Sequence, residues 1–136
     1  MNHKVVIVIG LPGSGKTTLT KKMVGYEVFD DFITTYHDGR IVDTLKAGKR
    51  VCLSDPRLCF PAFFQMYIKI FLGFVSKKDI QLILFENNPD KCWYNLMERE
   101  DGAKVADMIP GFSEDYDEET YKDFEYEVKA VLPLYW

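Results

Sequence analysis

Residues 4–9 read Lys-Val-Val-Ile-Val-Ile, a β-branched run without polar alternation, and pass directly into Gly10-Leu11-Pro12-Gly13-Ser14-Gly15-Lys16-Thr17. A strand lacking alternation is buried on both faces, as happens when helices cover both sides of a parallel sheet. The segment after it has the spacing GxxxxGK[ST] and lies between a buried strand and a helix, the context in which that spacing binds phosphate. Its glycines allow close backbone approach, and the loop amides point inward at the positive end of the helix beginning near Lys16. The candidate phosphate-binding residues are Gly10, Leu11, Pro12, Gly13, Ser14, Gly15, Lys16, Thr17 and Thr18. Lys16 is expected to reach the β- and γ-phosphates of a nucleotide, and the Thr17 hydroxyl to ligate Mg²⁺.

Strands and helices alternate beyond the loop. Residues 17–23 have helical pattern and stop at Gly25. Residues 26–29 form a short strand that leads into Asp30-Asp31. Ile41, Val42 and Leu45 share a helical face closed by Gly48, and residues 50–54 form a third strand ending at Asp55. Phe63, Phe64, Met66, Tyr67, Ile70, Phe71 and Phe74 recur at three- and four-residue spacing, an aromatic stripe expected to pack in the core. Residues 80–85 form a fourth buried strand. Asn88-Pro89 then starts a helix, with Asn as cap and Pro at the first position, running to about Arg99. Residues 102–111 read as irregular, 117–128 as a last helix, and 130–135 as an edge strand containing Pro133. The alternation predicts an α/β fold, specifically a three-layer P-loop NTPase fold with a mainly parallel sheet flanked by helices. One domain is expected over residues 1–136, with a lid at approximately 89–110.

Composition narrows the function classes. No apolar run approaches the roughly 20 residues that span a bilayer, and the N-terminal apolar run leads to a glycine loop rather than a cleavage site. Cys52, Cys59 and Cys92 form no CxxC and are expected to be buried free thiols in a cytoplasmic protein. His3 and His37 have no metal-ligand spacing. The net charge of −4 argues mildly against nucleic-acid binding, but the acidity is concentrated. Between Glu114 and Glu127 there are eight acidic residues against Lys122 alone, whereas residues 1–113 carry 15 Lys/Arg and 13 Asp/Glu. The acidic stretch is expected to be a solvated helix face, and the remainder could present a basic cleft.

Ligands of open α/β sheets bind at the carboxyl ends of the strands, where three strands here are expected to end in acids: Asp30-Asp31, Asp55 and Glu86. A phosphoryl-transfer site needs a carboxylate to orient the acceptor hydroxyl and take its proton, a group that supports Mg²⁺, and positive charge on the γ-phosphate. Asp30 or Asp31 suits the first task, and Asp55 the second or the gripping of the acceptor. Arg99 and Lys104 are candidate lid cations, with Arg57 placed to face the acceptor. Trp93 or Tyr94, beside the lid, could stack on a base.

These residues carry a family resemblance. Over nearly its whole length the chain resembles the kinase domain of phage-type polynucleotide 5′-kinases, within the wider group of small P-loop kinases. The opening through Thr18, Phe29-Asp30-Asp31-Phe32, Leu53-Ser54-Asp55, the stretch from Cys92 to Arg99 and the Val131-Leu132-Pro133-Leu134-Tyr135 finish are similar to family segments. The resemblance implies ATP as donor with Mg²⁺, Asp30 as general base, Asp55 as an acceptor contact and Arg99 as the lid arginine. The family's phosphate-holding arginine, three residues beyond the catalytic Asp, falls here on Ile33. A second lid arginine has no clear counterpart, Lys104 being the nearest basic residue.

The resulting expectation is an ATP-dependent kinase acting on a hydroxyl of DNA or RNA, either a 5′-end or a hydroxymethylated base as in a related phage kinase group. The alternatives are a kinase of nucleosides, nucleotides or other small metabolites, and a non-kinase NTPase. The chain has no run of four apolar residues followed by Asp-Glu, which tells against the last.

Overall fold

The computed structural model describes residues 3–35 and 38–131. Five strands, β1 (Val5–Ile9), β2 (Tyr26–Asp30), β3 (Arg50–Ser54), β4 (Ile80–Phe85) and β5 (Glu125–Lys129), form one sheet in the order β2-β3-β1-β4-β5. All four pairings are parallel, so every strand delivers its carboxyl end to the same edge. The expected α/β architecture is present. β1, the most apolar run of the chain, lies in the middle of the sheet, and all five of its residues are buried.

The β-branched run serves both faces. Val5, Ile7 and Ile9 join the larger core with Leu53, Leu82, Phe64, Phe71 and Tyr121, whereas Val6 and Val8 pack on the other face with Cys52, Ile83 and Phe85. The helices are α1 (Lys16–Thr20), α2 (Phe32–Thr35), α3 (Asp38–Lys46), α4 (Pro61–Leu72), α5 (Pro89–Met97), α6 (Gly102–Ala106) and α7 (Ile109–Ser113). Leu19 and Met23, on α1 and the turn after it, cover the smaller face. All three cysteines are buried and free. No helix of the described residues is long and apolar enough to cross a membrane.

Several elements differ from their expectations for identifiable reasons. In the aromatic stripe, the buried face of α4 is Phe64, Ile68 and Phe71, one side of the helical period, and Met66, Ile70 and Phe74 are exposed. Residues 102–111 are not irregular but form α6 and most of α7, short pieces because Met108 and Pro110 separate and restart the helical path. The expected helix over 117–128 is instead a 3₁₀ turn at Glu118–Tyr121 followed by β5. Tyr121 decides this. It is fully buried, stacks edge-on against Phe64 with ring centroids 4.7 Å apart and donates its hydroxyl to Leu58 O at 2.5 Å, holding the chain where it turns into the sheet. The end of the acidic stretch, Glu125 and Glu127, therefore lies on the edge strand, where charge is a common protection against edge-to-edge pairing. Of the edge strand expected over 130–135, Ala130 and Val131 lie outside any strand, and the remainder lies outside the described residues, as does His37.

Candidate active site

Because β1 is central, the loop that leaves it opens at the middle of the sheet's carboxyl edge, between the ends of β3 and β4. Gly13 and Gly15 have φ of +84° and +107°, the left-handed region that favours glycine. At Gly13 space imposes a second demand, since a Cβ would lie 2.5 Å from Cys92 O. Asn95, fully buried on α5, donates from Nδ2 to Gly13 O at 2.8 Å, so α5 braces the loop from outside. Sequence reasoning missed Asn95, because a lone Asn in an amphipathic helix carries no signal until the loop is folded against it.

Lys16 Nζ donates to Gly10 O at 2.9 Å and Leu11 O at 2.8 Å, so its ammonium spans the loop. Desolvation lowers its pKa from the ordinary value. Gly15 gives α1 no side-chain cap, which leaves the first-turn amides to an incoming ligand. Ser14 Oγ is buried without a hydrogen-bond partner, a vacancy of the kind a bound polar group resolves. These features fit a nucleotide polyphosphate. Among the described residues no three His, Cys, Asp or Glu side chains cluster to hold a metal. Thr17, in the cleft lining, carries the hydroxyl that could ligate Mg²⁺ there.

A cleft of about 550 Å³ opens over the loop. It is lined by Pro12, Gly13, Gly15, Lys16, Thr17 and Thr18 of the loop and α1, by Asp31, Pro56 and Arg57 from the segments after β2 and β3, and by Arg99, Asp101, Val105, Met108 and Phe112 from the segment after β4. The two neighbouring aspartates have different surroundings. Asp30, the last residue of β2, accepts from Ser54 Oγ at 2.6 Å and from Thr20 Oγ1 at 3.3 Å, which ties it to β3 and α1. Asp31 is the residue that lines the cleft, and its φ of +51° is left-handed. Such a conformation in a non-glycine residue is uncommon and clusters at functional sites. Partial burial, followed by the neighbouring Asp55 charge, raises the Asp31 carboxyl above its ordinary pKa.

Asp55 is sealed from solvent and does not reach the cleft. One of its oxygens accepts from Arg57 N at 2.9 Å and Arg57 Nε at 3.0 Å, and the other from Arg57 Nη2 at 3.0 Å and Ile33 N at 3.1 Å. It thus fixes the guanidinium in the cleft and also ties down α2, which follows Asp31. The hydrogen bond from Asp55 raises the Arg57 pKa. Ile33, where the family pattern placed an arginine, is buried in the core, whereas Arg57, from the segment after β3, lines the cleft. Arg99, also in the cleft lining, pairs with Asp101 at 3.6 Å. Lys104 is exposed on α6 and does not line the cleft. Glu86 accepts from Val131 N at 3.2 Å and pairs with Lys91 at 3.6 Å, away from the loop. Trp93 and Tyr94 are exposed on α5 with their rings edge-to-face, outside the cleft lining.

No family model matches the chain. Among solved structures it is similar to a gluconokinase from Sinorhizobium meliloti 1021, with a TM-score of 0.60 at 11% identity over 96% of this chain and 83% of that one. It is also similar to the shikimate kinase from Bacteroides thetaiotaomicron, with a TM-score of 0.55 at 16% identity over 93% and 85% of the two chains. At such identities the likeness is one of fold alone, a parallel α/β sheet flanked by helices. An uncharacterized protein of Acanthamoeba polyphaga mimivirus is 38% identical over 137 aligned positions, covering 97% of this chain and 99% of that protein. The chain belongs to the family of that mimivirus protein.

Proposed function

We propose that the chain is an ATP-dependent kinase that transfers the γ-phosphate to a hydroxyl of a small molecule. One observation carries this reading: the phosphate loop and Asp31 line the same cleft, together with Arg57 and Arg99. Phosphoryl transfer depends on positioning and on charge stabilisation more than on covalent chemistry from the protein. In this assignment the loop amides and Lys16 hold the β- and γ-phosphates. Asp31 orients the acceptor hydroxyl and takes its proton as the oxygen attacks the γ-phosphorus and ADP leaves. Arg99 meets the charge on the transferred group as residues 89–110 close. Magnesium supplies charge neutralisation of the phosphate oxygens when bound at Thr17. The family resemblance gave the proton-accepting role to Asp30, but Asp30 is held by two hydroxyls whereas Asp31 lines the cleft.

Three observations support a small acceptor over the polynucleotide. The similar folds are those of a gluconokinase and a shikimate kinase. The cleft lining includes the apolar side chains of Val105, Met108 and Phe112 alongside Arg99 and Asp101. The chain carries a net charge of −4, whereas a polyanion is gripped by a basic surface. A transfer assay with γ-labelled ATP and Mg²⁺ tests the reading, offering small hydroxyl compounds, nucleosides, 5′-hydroxyl DNA and RNA, and hydroxymethylated DNA in parallel. Label on a small molecule is the expected result. Label confined to nucleic acid would restore the polynucleotide acceptor, and phosphate release without any acceptor would favour a non-kinase NTPase.

A further inference from the structure

The fully buried Asn95 joins two parts of the site that lie far apart in the chain. Its Nδ2 donates to Gly13 O at 2.8 Å, 82 residues back. The amide of the same peptide unit is held too, since Ser14 N donates to Leu11 O at 3.1 Å. One rigid peptide plane of the phosphate loop is therefore pinned at both its carbonyl and its amide, and α5 supplies the carbonyl's anchor. Packing reinforces the bond: a Cβ on Gly13 would lie 2.5 Å from Cys92 O and 2.8 Å from Leu96 Cγ, so the loop rests directly on α5. One helical turn beyond Asn95 comes Arg99. Tight turns close the chain there, with Arg99 N donating to Leu96 O at 2.9 Å and Gly102 N to Arg99 O at 3.1 Å. Arg99 lines the cleft, and its guanidinium pairs with Asp101 at 3.6 Å between two exposed side chains, a weak hold. The place of Arg99 is therefore set by its backbone, and that backbone is carried by α5.

Resting on the kinase reading, we infer that Asn95 is a positioning residue: by fastening α5 to the Gly13 carbonyl, it registers Arg99 on the γ-phosphate of the nucleotide that the loop holds. Asn95 itself touches no substrate. An amide suits the task, because it donates to the carbonyl without placing a charge behind the phosphates.

Two probes that differ by the γ-phosphate test this: ADP and the non-hydrolysable analogue AMP-PNP, each with Mg²⁺. Their affinities for the full chain are measured by isothermal titration calorimetry. The wild-type chain should prefer the analogue about tenfold, the size of one hydrogen bond to a charged group. Arg99→Ala should remove most of that preference. Asn95→Leu keeps the bulk of the side chain without its donor and should cut the preference about threefold or more. Asn95→Ala should do the same, so the test survives if Asn95→Leu does not fold. With Arg99→Ala already in place, either Asn95 substitution should leave the ratio where it is, because the two residues act as one unit. An Asn95 that merely supports the loop would weaken both nucleotides alike and leave the ratio unchanged, which would overturn the inference. An Asn95 effect of full size in the Arg99→Ala background, or a wild-type ratio that Arg99→Ala does not move, would overturn it as well. Failure of the wild-type chain to bind either nucleotide would instead sink the kinase reading.

Discussion

Asp55 holds the Arg57 guanidinium through both carboxylate oxygens while itself sealed from solvent. Removing the carboxylate in Asp55→Ala strands the guanidinium and leaves the buried Ile33 N–H without its acceptor. We expect a loss of about 3 kcal/mol, read from the shift in denaturant midpoint. Asp55→Asn keeps one acceptor oxygen, enough for Ile33 N and Arg57 Nη2, but turns an NH2 donor towards Arg57 N and Nε, so it should lose less, about 2 kcal/mol. Equal losses in the two variants would mean that the contact network is not what stabilises this corner.

Asp31 links activity to pH. Desolvation first and Asp55 second raise its carboxyl above the ordinary aspartate value of 3.8. If its ionised form takes the acceptor proton, kcat should fall as pH drops through that raised pKa. In Asp55→Asn, which lacks one of the charges responsible, the fall should move to lower pH. Asp31→Asn should lose about 10²-fold or more in transfer. Asp30→Asn, still tied to Ser54 and Thr20, should retain a titrating acid limb.

The same shift predicts stability. A carboxyl whose folded pKa is raised contributes stability that is present below its unfolded pKa and lost as pH rises through the folded pKa. Asp31→Asn removes that loss and tolerates the left-handed backbone. The variant should melt higher than the parent at pH 7, with the difference closing towards pH 3 (thermal melts at both pH values). A parent that melts higher at pH 7 would contradict this placement of Asp31.

Lys16→Ala should reduce phosphoryl transfer by about 10²-fold or more, the usual size of losing one positioned charge on the reacting phosphate. Its ammonium is desolvated over the loop carbonyls, so the melting curve should stay in place. A collapsed fold would show that the lysine is mainly a structural clamp of the loop.

Gly102 lies against the end of α5 so closely that a Cβ would fall 1.5 Å from Leu96 O. Gly102→Ala must push α6 away, at about 2 kcal/mol or more, and should displace the Arg99–Asp101 turn at the cleft mouth. Gly111→Ala is the control. A Cβ there meets nothing within 4 Å, and this helical position should gain about 0.5–1 kcal/mol.

The legible parts of the fold were those where burial and pattern agree. β1, β3 and β4 read directly from apolar runs because both of their faces are covered, and the donor half of the cleft read from the loop motif. β5 was hidden because Glu125, Glu127 and Lys129 are charged and the strand lies at the sheet edge, where one flank needs no apolar pattern. Tyr121, whose burial ends the 3₁₀ turn, looked like one more residue in an acidic run. The acceptor half resisted for a different reason. Arg57 and Asp31 are placed by hydrogen bonds through Asp55 to residues 22 positions back and two ahead, and no local spacing encodes that.

The buried hydroxyl of Tyr116 is shared between Ile9 O at 3.2 Å and Phe85 O, two carbonyls at the ends of adjacent strands and, for Ile9, 107 residues back along the chain. The tip of β1, from which the phosphate loop springs, is therefore fastened by a side chain synthesised long after the loop itself. On a ribosome the nucleotide site would stay incomplete through most of elongation and acquire its final shape only as this tyrosine emerges. If the loop binds nucleotide as proposed, nucleotide capture would report on the last stage of folding.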